Sequence, residues 1–95
     1  MIGLESVRRE VLVSLVQLYP APFRRDQIVR VLAELFPDID SGSVGKDLAY
    51  LCERGLVARV VATSEGDGAF TASGQRWYRA TADGVDAAHA EGWAS

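Results

Sequence analysis

Two periods of apolar spacing succeed each other along this chain, and each predicts a kind of element. Over residues 4–19, Leu4, Val7, Val11, Leu15 and Leu18 recur at helical spacing and make one stripe. Leu12, Val16 and Tyr19 widen that stripe beyond what one packed neighbour needs, so the helix is either touched on several sides or paired with a second subunit. Pro20 and Pro22 stop it, because proline lacks an amide donor and disfavours a helical residue before it. Phe23 suits a very short edge strand. A second helix is expected over 24–36, with Ile28, Leu32, Leu35 and Phe36 on its buried face and Pro37 at its end.

The third helix, over 41–54, is the clearest. Val44, Leu48, Leu51 and Cys52 form its apolar stripe, and Ser43, Lys46, Asp47, Tyr50, Glu53 and Arg54 its other face. Asp40 or Ser41 can cap its start, since their side-chain oxygens accept from free first-turn amides. Gly55 ends it, because glycine adopts the left-handed conformation at no steric cost. The spacing then changes. Leu56 to Ala62 is apolar and β-branched, as strands prefer, and 63–74 is rich in Ser, Gly, Asp and Thr, as turns are. A returning strand over 75–81 alternates, with Tyr78 and Ala80 inward and Trp77 and Arg79 outward. Thr81 can cap a short fourth helix over 82–89, which carries Val85 and Ala88, and a tail over 90–95 holds Trp93. The pattern predicts an α+β fold: a three-helix core, a β-hairpin over 56–81 and a short last helix.

Here a resemblance enters. The spacing Ser41-x-Ser43-Val44-x-Lys46-Asp47-Leu48-x-Tyr50-Leu51-x-x-x-Gly55-Leu56-Val57 resembles the recognition helix and wing junction of winged helix-turn-helix regulators. The arsenic-repressor-like and phenolic-acid-repressor-like families show the same cadence. Tyr78-Arg79-Ala80-Thr81-x-x-Gly84 looks like the end of a wing strand entering a final helix. Size and element order also look like the small winged-helix proteins of Mu-like prophages. The resemblance implies double-stranded DNA as partner, transcription regulation, and a homodimer built from the first and last helices. It also implies that the start of the second helix approaches the DNA backbone.

The candidate contacts follow. Arg24 and Arg25 stand in the first turn of the second helix, where the helix dipole disfavours cations, and are read as phosphate contacts. Ser41, Ser43, Lys46 and Tyr50 are the contacts expected from the third helix, and Asp47 could accept from cytosine. Arg59, Arg76 and Arg79 make the hairpin stems positive, while Glu65 and Asp67 make its tip acidic, unlike a tip that enters a minor groove. Leu12, Val16, Tyr19, Val85 and Trp93 are the expected dimer contacts.

Length and charge adjust this picture. A chain of 95 residues is one domain, 1–95, and size scaling gives it a modest core that dimerisation would help. The formal charge of −3 sits badly with DNA, because phosphate neutralisation supplies most non-specific affinity. Binding then requires the cations to cluster on one face. The alternative is a winged-helix module that binds a protein and not DNA. No apolar run approaches the ~20 residues that span a bilayer, and acidic Glu5 in a helical pattern does not suit a signal peptide. With its lone cysteine, the chain fits a reducing cytoplasm. Cys52 falls on the apolar stripe, His89 is isolated, and no spacing supports a metal, a cofactor or a catalytic set. An enzyme is not expected.

Overall fold

The computed structural model describes residues 5–60 and 77–94. Helix α1 (Ser6–Gln17) runs through the middle of the molecule. Val11, Leu12 and Leu15 have no exposed surface, and Val13 and Val16 have almost none. The width of the stripe has a plain cause: α1 is contacted by α2, α3, the last helix and the sheet. The helix ends two residues before the expected Tyr19. Leu18 and Tyr19 donate to the carbonyls of Leu15 and Val16 in a closing turn, and Pro20 follows.

The two-residue strand β1 (Phe23–Arg24) leads directly into α2 (Arg25–Leu32). This helix is shorter than its apolar pattern predicts. Pro37 disfavours a helical Phe36, so the chain leaves the helix through turns in which Leu35 and Phe36 both donate to the Leu32 carbonyl. That changes which residues face inward. Ile28 and Leu32 are buried as expected, and Phe36 and Ile39 pack on the core, but Leu35 is 63% exposed. The expectation for Leu35 is therefore corrected.

Helix α3 (Ser41–Glu53) forms for the reasons legible in its ends. The Asp40 carboxylate accepts from the Ser43 amide at 2.8 Å. At the other end Gly55 has φ +75°, and the amides of Gly55 and Leu56 donate to the carbonyls of Cys52 and Leu51. That pair of bonds is a Schellman closure, and glycine is favoured at its left-handed position. Val44, Leu48 and Leu51 are fully buried against α1 and α2.

Strands β2 (Val57–Val60) and β3 (Trp77–Ala80) pair antiparallel, and β1 pairs with the other side of β3, giving the order β1-β3-β2. Tyr78 and Ala80 face inward, as their alternation predicts. The expected hairpin tip, with Glu65 and Asp67, lies outside the described residues, as do Arg76 and the first four residues.

Helix α4 (Ala82–Ala90) closes the core. The Thr81 hydroxyl accepts from the Gly84 amide at 2.9 Å and donates to the Gly55 carbonyl at 2.7 Å. One side chain thus caps α4 and ties it to the end of α3. Gly84 is buried with its α-carbon close to the Leu56 carbonyl oxygen, leaving no room for a β-carbon. Gly92, at φ +77°, closes α4 as Gly55 closes α3, with Trp93 donating to Ala88 at 2.9 Å. The tail therefore turns back, and Trp93 packs half-buried on the core with the Arg9 guanidinium 5.8 Å from its ring. The architecture is a winged helix-turn-helix.

Candidate nucleic-acid interface

More of the contacts expected from the sequence lie on α3 than on any other element, so its outer face is built first. Ser41, Gly42, Ser43, Lys46, Ala49 and Glu53 are exposed. Asp47 is not. It keeps 5% of its surface and pairs with Arg8 of α1, Nε to Oδ1 at 3.1 Å. The second carboxylate oxygen is buried without a hydrogen bond among the described residues. Asp47 thus cannot accept from a base, which corrects the sequence expectation.

Arg8 does more than neutralise Asp47. Its guanidinium lies 4.0 Å from the centre of the Tyr50 ring, and Arg54 donates to the Tyr50 hydroxyl at 3.1 Å. Tyr50 is therefore held between two cations, half-buried, with its hydroxyl engaged. The ring face attracts cations through its quadrupole, so this stacking fixes the side chain as well as the charge.

The two arginines at the start of α2 differ sharply. Arg24 lies in β1 and precedes the helix. It pairs with Asp26 at 3.1 Å and sits over Trp77 of β3 at 5.4 Å. Its amide donates to the Gln27 side chain at 2.9 Å, which satisfies one donor at the helix start. Arg25 is exposed and has no acidic partner among the described residues. Its side chain lies across Gly45 of α3: a β-carbon there would meet Arg25 Nη1 at 2.6 Å and Cδ at 3.4 Å. Lys46, the next residue of α3, is also exposed and without an acidic partner among the described residues.

The sheet divides the remaining cations. Arg59 is opposite Tyr78, and Arg79 is opposite Ala58. Successive residues of a strand face opposite ways, so the two guanidinium groups leave opposite faces of the sheet. Arg59 is exposed, whereas Arg79 is half-buried and donates to the Ala80 carbonyl at 3.2 Å. Arg76 lies outside the described residues.

Of the expected subunit contacts, Leu12 and Val16 belong to the protomer's own core and offer almost no surface to a partner. Tyr19 is 42% exposed, and Val85 and Trp93 are half-buried. Cys52 is half-buried. Burial pushes its thiol above the ordinary 9.0, while the charge of Arg59 pulls the other way. Among the described residues no group of three His, Cys, Asp or Glu side chains could hold a metal ion, and no helix is long and apolar enough to cross a membrane.

Sequence reasoning passed over Arg8 and Gly45. Arg8 had no local signal, because its partner is 39 residues away. Gly45 had one: a glycine inside a helix costs about 1 kcal/mol against alanine, which asks for a packing or functional reason.

No family model and no curated protein matches the chain. Solved structures do resemble it. The complex structure of hsRosR-S1 superposes with a TM-score of 0.72 at 21% identity, covering 95% of this chain and 71% of that one. PerR from Streptococcus pyogenes, whose structure underlies peroxide sensing and gene regulation, superposes with a TM-score of 0.64 at 19% identity. That match covers 83% of this chain and 48% of PerR, so the chain spans about half of PerR's length. At these identities the likeness is one of fold.

Proposed function

We propose that this chain is a DNA-binding winged-helix regulator, non-enzymatic and cytoplasmic, with α3 entering the major groove of double-stranded DNA. The observation that carries the reading is the charge arrangement on that helix. Its one acid in the middle of the face, Asp47, is withdrawn and neutralised, while Lys46 and the neighbouring Arg25 stay exposed and unpaired among the described residues. A groove-reading helix needs a few donors and no net positive charge of its own. Ser41 and Ser43 at its start and Lys46 are the donors, with Tyr50 as a ring fixed behind them. Arg59 flanks the helix toward the phosphates, while Arg24 is held by Asp26 and Trp77 at the start of α2. Arg79, turned to its own backbone, and Arg76 are minor contributors. The likeness to PerR, a protein of gene regulation, supports the same class.

A homodimer completes the proposal, through Tyr19, Val85 and Trp93 and without the buried Leu12 and Val16. Its two-fold axis would set two recognition helices about one DNA turn apart, roughly 34–36 Å. A second reading, an interaction module for a protein partner, is favoured by the charge of −3 and by the internal pairing of Arg8 and Arg24.

Binding isotherms on duplex DNA at several salt concentrations separate the two. DNA binding predicts an affinity that falls with salt, and a Lys46→Ala variant that loses more on a preferred duplex than on a random one. The losses expected are roughly 1–3 kcal/mol per base contact. No salt-sensitive affinity for any duplex would reject DNA and favour the protein partner.

A further inference from the structure

We infer that Arg25, carried by α2 but laid across Gly45 of α3, is a base-reading and specificity-determining side chain and not only a phosphate contact. The inference rests on the DNA-binding reading above and divides two neighbouring arginines that the sequence treats alike. Arg24 is occupied: Asp26 holds its guanidinium, and Trp77 of the sheet lies beneath it. Its role is to fix the start of α2 against β3. Arg25 has no acidic partner among the described residues and is exposed.

The position of Arg25 is set by a missing side chain. Nη1, Cδ and Cζ of Arg25 all lie within 4 Å of the point where a β-carbon of residue 45 would stand, the nearest at 2.6 Å. Only glycine leaves that space open. The guanidinium is thus supported by the recognition helix itself, next to Lys46. A side chain resting on α3 travels with it into the groove, whereas one pointing away from α2 would meet the backbone. The planar fork of arginine matches the two acceptors that guanine presents in the major groove, O6 and N7. Lysine offers a point charge and cannot reproduce that match. The base assigned to Arg25 is therefore a guanine.

Gly45 provides the decisive test, because changing it need not harm the fold. The obstructing atom is the end of a flexible side chain, so Gly45→Ala displaces Arg25 and leaves α3 in place. Alanine also favours a helix over glycine. The experiment selects a preferred duplex with the wild-type protein. It then measures wild type, Arg25→Ala, Arg25→Lys and Gly45→Ala on that duplex and on its single-base-pair variants, with thermal melting as a check on folding. The expected result is that Arg25→Ala and Arg25→Lys lose about tenfold discrimination at one G·C pair. Gly45→Ala should melt at or above the wild-type temperature and lose discrimination at the same pair. Equal weakening on every duplex by Arg25→Ala, or an unchanged preference in a folded Gly45→Ala, overturns the inference while DNA binding stands. A wild type that binds no duplex overturns both.

Discussion

Removing the guanidinium of Arg8 should cost more stability than removing the carboxylate it neutralises. Asp47 has 7% of its side chain exposed, and Arg8 has 26%. Arg8→Ala leaves a carboxylate in a nearly dry site. Breaking a buried ion pair in that way costs about 3–5 kcal/mol. Loss of the contact with the Tyr50 ring adds roughly 0.5–2 kcal/mol. Solvent reaching the site through the space Arg8 vacates offsets part of this. The net expectation is a loss of about 3 kcal/mol. Asp47→Ala acts differently. Arg8 keeps its place on Tyr50, and its guanidinium can turn to water, so the loss is at the low end of that for one charged hydrogen bond, about 1.5–2 kcal/mol. Replacing both by apolar residues, Arg8→Met with Asp47→Leu, should return to within about 1 kcal/mol of wild type, because no charge is left buried. Urea unfolding of the four proteins measures this through midpoints at a constant slope. If Asp47→Ala costs as much as Arg8→Ala, the asymmetry argument is wrong. If both cost under about 0.5 kcal/mol, as surface changes do, the pair is not buried in solution.

Two further changes probe the supports of α3. Gly84→Ala should lower the thermal midpoint, with a net loss of about 1–2 kcal/mol, since the new methyl meets the Leu56 carbonyl and overpacking outweighs the gain in helix propensity; an unchanged or raised midpoint would contradict the close approach. Cys52 has its thiol raised by burial, so its contribution to stability is full below the unfolded value and is lost as pH rises through the folded one. Wild type should therefore lose more stability than Cys52→Ala between about pH 7.5 and about pH 10, with urea midpoints as the readout, and equal losses would show that the thiol is not desolvated.

The parts of the fold that were legible in the sequence are those decided within a few residues. Asp40 caps α3 and Gly55 closes it because both act on amides and carbonyls one turn away. Tyr78 and Ala80 face inward because a strand has only two faces. Helical periodicity is less decisive, since it finds an apolar side but not what covers it. Leu12 and Val16 suggested a subunit contact, and α1 proved to be surrounded by its own protomer. Leu35 fitted the period of α2, yet the chain leaves the helix before it under the constraint of Pro37. Asp47 is the instructive case at the site. The pattern put it on the polar face of α3, yet it is buried and paired with Arg8, on another helix. A pair between distant segments has no local pattern. The same holds for Arg25 and Gly45, whose contact joins two helices and decides where a cation stands.

The central proposal is that α3, carrying Lys46 and with Arg25 of α2 laid against it, reads double-stranded DNA. Its most direct test is selection of bound sequences from a random duplex pool at low salt, run in parallel with the wild type and with Lys46→Ala. The account predicts one enriched sequence for the wild type, with weaker enrichment or a changed base pair for Lys46→Ala. No enrichment of any sequence by the wild type would contradict it.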